Sequence, residues 1–423
     1  MQLFDSENFL YKNNKLYAEN ISVNEIIKST GTPVYIYSKK HFVNQYLKFT
    51  KAFKDIEHIV YYAVKANYNI NVINIFSKLG CGLDVNSEGE LIRALKAGAK
   101  PGKIILTGVG KTEREIELGI KNNLQLIKAE SIEEIYLIND IAKSLNSIAP
   151  LAIRVNPDVD PKTHPYISTG LKENKFGIDS KQALEAYQIA ASLSNLKLSG
   201  IDMHIGSQIT EVEPYVEAIS KLADIYNTLK KQGIELNHFD IGGGIGVVYK
   251  DEKVFDPSQL AKAIIPIIKP LKAKLSFELG RYLTANGGIL VTEVLYTKKN
   301  QNKNFVVVDA AMTDLLRPSI YKAYHHIQPV LLSDRKDIIA DVVGPVCESG
   351  DFLAKGRQLT ECSRGEKLAI MSAGAYAMVM ASNYNGRRRP PEVIVDGNKF
   401  HTVRSRETFD HLLYDEKIVE DLT

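Results

Sequence analysis

The sequence predicts an α/β protein in which a (β/α)8 barrel of the TIM type is joined to a second, C-terminal β-rich domain. Short apolar runs alternate with amphipathic helical patterns from about residue 33 to residue 283. Polar or ionisable residues follow most of these runs, and the helical periodicity fades after Arg281. The 423 residues also exceed the roughly 100–200 of one ordinary domain, so more than one domain is expected.

Eight apolar runs are the predicted barrel strands. They are residues 60–64, 81–85, 103–107, 124–127, 151–155, 199–205, 238–241 and 274–278. Helical patterns lie between them, as at 88–98, 112–122, 131–145, 181–194 and 216–233. Eight such units over about 250 residues match the size of a (β/α)8 barrel. We expect this domain to span residues 38–283.

The remaining residues predict a β-rich domain resembling a sandwich or barrel. Short strand-like runs separated by turn residues occur at 288–299, 304–312, 337–345, 367–374 and 392–404. Two further runs, 16–23 and 33–38, precede the barrel. We expect the first of them to join the C-terminal strands, so that residues 1–37 and 284–423 form one domain.

Composition excludes several classes of protein. Hydrophobic residues make up 44% and charged residues 24%, which argues against a disordered or coiled-coil chain. The formal net charge is +3 with both signs interspersed, so neither nucleic acid nor a membrane surface is an expected partner. The three cysteines show no paired or metal-ligand spacing, and no secretory signal or membrane span is apparent. A cytoplasmic protein without a metal site is expected.

Residues at the ends of the predicted strands form the candidate site. They are Lys65, Asp84, Glu130, Arg154, His204, Gly242 to Gly244, Glu278 and Arg281. In a barrel all strands end at one face, the usual position of the active site. Any single one of these residues is as readily explained by a solvated loop. The whole set favours one shared site.

Each motif has a chemical interpretation and an ordinary alternative. Lys65 ends a buried run, where partial desolvation would lower its pKa and favour a Schiff base, although most strand-end lysines are surface residues. The glycines at 242–244 suit a phosphate, or simply a tight turn. His204 suits the face of a flat ring, or a structural role. Glu278 suits a pyridine nitrogen, or an ion pair with Arg281.

Ten stretches, in family order, resemble the fold-type III, alanine-racemase-like pyridoxal phosphate (PLP) decarboxylases, and within them the diaminopimelate decarboxylase branch. They are residues 31–38, 61–67, 82–91, 154–178, 204–209, 241–246, 278–281, 315–325, 344–351 and 372–380. The stretch 154–178 and the CESGD segment at 347–351 are specific to the diaminopimelate branch, and the others are shared with ornithine and arginine decarboxylases.

The resemblance implies a role for each matching residue. Lys65 carries PLP, His204 covers its ring, Glu278 meets the pyridine nitrogen, and Cys347 donates a proton. Asp84 and Arg154 support the ring and the lysine. The phosphate and its surroundings are assigned to Ser207, Gly242, Gly243, Gly244, Gly280, Arg281 and Tyr376. The substrate is assigned to Arg281, Arg317, Tyr321, Glu348 and Tyr376.

The implied reaction is the decarboxylation of meso-2,6-diaminopimelate to L-lysine and CO2, the last step of lysine biosynthesis. The implied assembly is a homodimer in which the CESGD loop enters the partner's site. The alternatives are a carboxynorspermidine, ornithine or arginine type of decarboxylase, or a PLP-binding protein without catalysis. Two residues depart from the family pattern: Leu279 stands where proline is common, and Glu88 where glycine is frequent.

Overall fold

The computed structural model describes residues 3–4, 6–160, 170, 174–301 and 303–420. The chain divides into two compact units. One unit combines both ends of the chain, Met1–His41 and Thr284–Thr423, and the other is the continuous segment Phe42–Leu283.

The N-terminal part of the first unit forms a small antiparallel sheet. Its strands are β1 (Phe9–Lys12), β2 (Lys15–Ala18) and β3 (Ile21–Ser22), followed by helix α1 (Val23–Thr30), strand β4 (Val34–Ser38) and helix α2 (Lys39–Ala52). The run 16–23, expected as one strand, is therefore two strands and the start of a helix. Glu19 adopts a left-handed conformation (φ +52°) and turns the chain between the two strands.

The second unit is a closed parallel barrel. Its strands are β5 (His58–Ala63), β6 (Gly82–Val85), β7 (Ile104–Leu106), β8 (Leu126–Ala129), β9 (Ala149–Asn156), β10 (Ile178–Asp179), β11 (Leu196–Asp202), β12 (His238–Asp240) and β13 (Lys274–Leu279). All except β10 form a ring in the order β9, β11, β12, β13, β5, β6, β7, β8, and β8 pairs with β9 to close it. Each of the eight predicted runs overlaps one strand of this ring.

Helices connect the barrel strands. They are α3 (Ile70–Lys78), α4 (Glu88–Lys96), α5 (Glu113–Lys121), α6 (Ile132–Ser144), α7 (Ala183–Ser192), α8 (Glu213–Lys231) and α9 (Pro257–Ile268). Ser87, Thr112 and Ser131 begin three of them, and each side chain accepts a hydrogen bond from the backbone N–H three residues later. These caps fix where the loops after β6, β7 and β8 end, and so help to hold the strand-end residues in place.

The C-terminal part of the first unit is rich in strands. After helix α10 (Arg281–Thr284) come β14 (Gly288–Asn300), β15 (Lys303–Val308), α11 (Arg317–Tyr321), β16 (Ile327–Pro329), β17 (Asp337–Val343), β18 (Phe352–Thr360), β19 (Lys367–Ile370), β20 (Glu392–Asp396), β21 (Lys399–Arg404) and α12 (Phe409–Leu413). The main sheet has the order β18, β17, β15, β14, β4, β20, β21, so the second N-terminal run, β4, is a central strand.

One hydrophobic core joins the two ends of the chain within this unit. It contains Phe9 and Leu16 from the small sheet together with Val34, Ile289 and Val393 from the main sheet. The predicted fold class, a (β/α)8 barrel with a β-rich second domain, is confirmed. Among the described residues, none of the helices has the length and apolar character that crossing a bilayer would require.

Candidate active site

The carboxyl ends of the barrel strands carry most of the predicted site residues. Lys65 follows β5, Asp84 lies in β6, Arg154 lies in β9, His204 follows β11 and Glu278 lies near the end of β13. Because the strands of the ring are parallel, these ends meet at one rim of the barrel. The fold thus brings the predicted barrel residues together.

The amine of Lys65 is held beside a buried carboxylate. Its Nζ lies 3.4 Å from Oδ2 of Asp84 and 3.2 Å from Oδ1 of Asn86. The Lys65 side chain is 38% exposed, whereas that of Asp84 is fully buried. The amine therefore stands at the boundary between the barrel interior and solvent, within reach of a small molecule.

Asp84 is fixed by hydrogen bonds from two neighbours. Oγ1 of Thr107 donates to its Oδ1 at 2.6 Å, and Nδ2 of Asn86 donates to the same oxygen at 3.0 Å. Burial, and then repulsion by Glu278, raise the pKa of Asp84, while Lys65 lowers it. Asp84 is thus a rigid acceptor that orients the Lys65 amine.

His204 presents a neutral ring. Its Nδ1 accepts a hydrogen bond from the backbone N–H of Gly243 at 3.0 Å, so the ring hydrogen lies on Nε2. Burial, followed by the positive charges of Arg154 and Lys65, lowers the pKa of His204 to about 3. The imidazole is therefore uncharged at neutral pH and suited to cover a flat aromatic ligand.

The glycine turn after β12 has no room for side chains. A Cβ on Gly242 would lie 2.6 Å from Nδ1 of His204, and a Cβ on Gly243 would lie 1.9 Å from the carbonyl oxygen of Glu278. Gly244 has φ +102°, a conformation that other residues rarely adopt. The turn therefore packs directly against His204 and the end of β13, and the N–H groups of Gly242 and Gly243 donate to Asp240 and His204.

Arg281 is oriented by two hydroxyl groups. Its Nε and Nη2 donate to Oγ of Ser207 at 3.3 and 3.0 Å, and its Nη1 donates to the hydroxyl of Tyr249 at 2.7 Å. The side chain is almost fully buried. Gly280, which precedes it, accepts a backbone hydrogen bond from Leu283. A buried cation with fixed geometry next to Ser207 favours a phosphate or carboxylate ligand.

Glu278 belongs to a buried ionic cluster. Nζ of Lys128 donates to Oε1 of Glu278 at 2.6 Å, to Oδ1 of Asp202 at 2.8 Å and to Oδ2 of Asp240 at 2.8 Å. The carboxylate oxygens of the three acids lie within 4.8 Å of one another, a spacing that could hold a metal ion. The Lys128 ammonium already supplies the positive charge at that point.

The electrostatics of the cluster keep Glu278 ionised. Burial alone would raise its pKa, but the attraction of Lys128, and then of Lys65, overrides burial and lowers the pKa to about 2. For Asp202 and Asp240 burial dominates, and their pKa values rise to about 8 and about 6. Glu278 is therefore the member of the cluster that remains an anion over the widest pH range.

Arg154 is paired behind the rim. Its Nη1 donates to Oε1 of Glu130 at 3.1 Å, and Oε2 of Glu130 accepts the backbone N–H of Gly177 at 3.0 Å. The two segments around Arg154 and Gly177 are thereby tied together. Residues 161–169 and 171–173 of the branch-specific stretch lie outside the described residues.

In the β-rich unit, helix α11 carries Arg317 and Tyr321. Arg317 is buried, and its Nη1 lies 3.4 Å from Nε2 of His325. Nδ1 of His325 lies 2.9 Å from the carbonyl oxygen of Met371, so Nδ1 carries the hydrogen and Nε2 accepts from Arg317. Arg317 is thus pre-oriented, while Tyr321 at the end of the helix is half-buried.

Cys347 and Glu348 are exposed on the loop between β17 and β18. The backbone of this loop is nevertheless fixed. The N–H of Cys347 donates to Oδ1 of Asn385 at 2.9 Å, and the carboxylate of Asp351 accepts the N–H of Val346 at 2.7 Å. Hydrogen bonds therefore hold the loop while its thiol and carboxylate are exposed.

Tyr376 lies after β19 in a strained conformation. Its φ is +53°, which is uncommon for a residue with a side chain, and the side chain is half-buried. Strain of this kind, of order 1–3 kcal/mol, clusters at functional sites. The expected role of Tyr376 in ligand binding stays a prediction.

Comparisons with known proteins agree on one family. Residues 39–285 match the family described as "Pyridoxal-dependent decarboxylase, pyridoxal binding domain". Diaminopimelate decarboxylase of Aquifex aeolicus is 45% identical over 95% of this chain and 96% of its own length, and that of Neisseria meningitidis serogroup B is 47% identical over 95% and 97%.

Solved structures give the same result. Diaminopimelate decarboxylase from Helicobacter pylori, complexed with L-lysine, has a TM-score of 0.90 and 42% identity, covering 92% of this chain and 98% of its own. The enzyme from M. jannaschii, in co-complex with L-lysine, has a TM-score of 0.94 and 36% identity over 99% of both chains.

The chain belongs to the diaminopimelate decarboxylase family.

This membership confirms the predicted family and enzyme class, a pyridoxal-dependent lyase. For this member of the diaminopimelate decarboxylase family, the described geometry gathers four elements at the barrel rim: an accessible amine, a buried anionic carboxylate, a neutral imidazole and a glycine turn beside a buried arginine. The β-rich unit holds the other predicted residues on two separate elements, helix α11 and the loop after β17. The roles of individual residues remain predictions.

Five neighbours of the predicted residues were not singled out from the sequence: Asn86, Lys128, Asp202, Asp240 and Tyr249. For two of them a signal exists. Asp202 and Asp240 are charged residues within predicted apolar runs, in GID and HFD. Charges at such positions indicate pairing inside the barrel, because an unpaired buried charge is too costly. Lys128 follows a predicted run, and Asn86 and Tyr249 lie on loops, so these three leave no such signal.

Proposed function

We propose that the chain decarboxylates meso-2,6-diaminopimelate to L-lysine and CO2 with PLP as cofactor, as the last step of lysine biosynthesis. The observation that carries the proposal is Glu278, a buried carboxylate kept anionic at the same barrel rim as the Lys65 amine and the glycine turn. An anion that survives burial suits a protonated pyridine nitrogen. The diaminopimelate decarboxylases that resemble the whole chain support the choice of substrate.

The donor set fits PLP group by group. Lys65 would carry the aldehyde carbon, Glu278 would meet the ring nitrogen, and His204 would cover one face of the ring. The groups assigned to the phosphate and its surroundings are the turn Gly242–Gly244, Ser207, Gly280, Arg281 and Tyr376. The clashes that a Cβ would cause at Gly242 and Gly243 support this assignment, because a side chain there would displace His204 or the end of β13.

Bound PLP supplies an electron sink for the electron pair that departing CO2 leaves behind. The protein keeps that sink effective through Glu278, whose negative charge favours a proton on the ring nitrogen. His204 contributes no charge, because burial keeps it neutral. Asp84 and Asn86 hold the Lys65 amine in one position, so that it meets its ligand with little loss of side-chain freedom.

We assign recognition of the substrate's second amino-acid end to Arg317, Tyr321, Glu348 and Tyr376, together with Arg281. The arginines would meet the distal carboxylate, and Glu348 the distal amine. A buried guanidinium such as that of Arg317 favours a substrate that brings a carboxylate, because a charge-assisted pair is stronger than a contact with a neutral group. Lysine and ornithine lack that group and should be rejected.

Cys347 is proposed as the proton donor, acting from Sγ on a site shared between two copies of the chain. Both Cys347 and Glu348 are exposed on the protomer, and the loop that carries them is held rigid. These features support a homodimer in which each loop completes the partner's site. A cytoplasmic location is part of the same proposal.

The function is tested by CO2 release. Purified protein with PLP is supplied separately with meso-diaminopimelate, L-lysine, L-ornithine, L-arginine and carboxynorspermidine at equal concentration. We expect release from meso-diaminopimelate with L-lysine as product, and at least 10⁴-fold lower kcat/KM for the substrates without the second carboxylate. Faster CO2 release from any other substrate would show that the proposed substrate is wrong. No CO2 release from any of the five would show that the chain is not a decarboxylase of this kind.

A further inference from the structure

Lys128 spans the interior of the barrel. It lies on β8, and the ring order places β8 and β13 four strands apart in either direction, so the two strands face each other across the barrel. Its Nζ nevertheless reaches Oε1 of Glu278 on β13 at 2.6 Å. The lysine side chain must therefore cross the lumen beneath the rim.

The ammonium is fully engaged. Its three hydrogens are matched by three carboxylates, those of Asp202, Asp240 and Glu278, all at 2.8 Å or less. Only 1% of the Lys128 side chain is exposed, and none of the three acids exceeds 6%. In such a dry setting a charge-assisted bond both fixes geometry and determines which groups are ionised.

The cluster also reaches the glycine turn. Asp240 bonds Lys128 through Oδ2 and accepts the backbone N–H of Gly242 through Oδ1 at 2.8 Å. The N–H of Glu278 in turn donates to the carbonyl oxygen of Gly242 at 2.9 Å. Lys128 is thus linked both to the carboxylate proposed for the ring nitrogen and to the turn proposed for the phosphate.

We infer that Lys128 is a positioning residue for the cofactor: it keeps Glu278 ionised and fixed, and through Asp240 it anchors the glycine turn. This inference rests on the proposed function, because it concerns the ring nitrogen that Glu278 would meet. Lys128 holds Glu278 through Oε1 at 2.6 Å.

Other groups near Glu278 do not substitute for Lys128. The titratable and charged neighbours on the surrounding strands are Tyr61, Lys65, Asp84, Arg154, Asp202, His204 and Asp240. Lys65 is half-exposed and is the amine that would be converted on binding PLP. Arg154 is paired with Glu130, and His204 is neutral. Without Lys128 the acids would repel one another in a buried site, and Glu278 would take up a proton.

The test uses PLP labelled with ¹⁵N in its ring, whose NMR resonance reports whether the nitrogen carries a proton. In the unaltered protein we expect a protonated nitrogen throughout the range from pH 6 to pH 9. In Lys128→Met we expect the nitrogen to lose its proton within that range, with kcat reduced roughly 10²-fold and KM nearly unchanged. An unchanged ¹⁵N resonance in folded Lys128→Met would overturn the inference.

Asp202→Asn is the matched control. Asp202 is in the same cluster, and asparagine would still offer Lys128 a side-chain oxygen while leaving Lys128 and Glu278 unchanged. We expect the ¹⁵N resonance of this variant to match that of the unaltered protein. A resonance shifted as far as in Lys128→Met would show that any damage to the cluster has the same effect, and would refute a specific role for Lys128.

A second variant covers the case in which Lys128→Met does not fold. Lys128→Met combined with Asp240→Asn removes one buried charge of each sign, and the asparagine oxygen can still accept the Gly242 N–H. We expect it to show the same deprotonated ring nitrogen. If neither variant folds, Lys128 is a structural residue and the inference is wrong. If the unaltered protein neither binds PLP nor releases CO2, the proposed function itself fails, which is a distinguishable result.

Discussion

Gly243→Ala is a substitution whose effect can be worked out from the structure. The new Cβ would lie 1.9 Å from the carbonyl oxygen of Glu278, which is 1.5 Å short of the 3.4 Å at which ordinary contact begins. The obstacle is backbone, so it cannot rotate away. Either the glycine turn or the end of β13 must move by about that distance.

The movement should affect catalysis more than folding. A displacement of about 1 Å at a reacting centre costs roughly 10²-fold in rate, so we expect kcat to fall by at least that factor. Overpacking should reduce the free energy of unfolding by about 1–3 kcal/mol, offset in part by the lower chain entropy of alanine in the unfolded state. The assays are CO2 release and urea unfolding.

The matched control is Gly102→Ala. A Cβ at Gly102 would have no heavy atom within 4 Å, and the residue is exposed. We expect this variant to keep the activity and stability of the unaltered protein. Equal activity and stability of Gly243→Ala and Gly102→Ala would show that the tight glycine turn does not position the end of β13.

Two further predictions concern the assembly and the buried cluster. Inactive Lys65→Ala and Cys347→Ala variants, when mixed and allowed to exchange subunits, should recover about a quarter of the activity, because half of the dimers would contain one intact shared site; no recovery after confirmed exchange contradicts a shared site. Burial raises the pKa of Asp202 to about 8 from an unfolded value near 3.8, so the stability it contributes is present at low pH and is lost as pH rises through this window. In the unaltered protein, Asp202 should therefore lower the free energy of unfolding by about 1.4 kcal/mol per pH unit between about pH 5 and pH 7. Asp202→Asn should lack this contribution. The measurement is the free energy of unfolding of the apoprotein in urea at each pH, with exposed Asp334→Asn as the control. The same pH dependence in Asp202→Asn and in the unaltered protein would contradict the prediction.

The barrel could be predicted from the sequence because its signal is local. Buried parallel strands are continuous apolar runs, and each of the eight runs overlaps a strand of the ring. Strand β18 (Phe352–Thr360) was missed because Lys355, Gly356 and Arg357 interrupt its apolar pattern. They are tolerated because β18 is an edge strand, where exposed polar residues are common.

The rim residues could be predicted for the same reason, since they follow recognisable strands. Lys128 could not be predicted, because the apolar run ends at Ile127 and a lysine directly after such a run is usually exposed to solvent. The strand continues to Ala129, and its partners lie 74 to 150 residues away. Pairing over such separations is a property of the closed ring, which local periodicity does not encode.

Borohydride reduction of the PLP-loaded protein identifies the lysine that holds the cofactor. The reduced protein is digested, and the peptide that carries the cofactor is identified by mass spectrometry. We expect a single modified residue, Lys65, and no modification in Lys65→Ala, with exposed Lys121→Ala labelled like the unaltered protein. Cofactor fixed to a different lysine, or full CO2 release by Lys65→Ala, would contradict it.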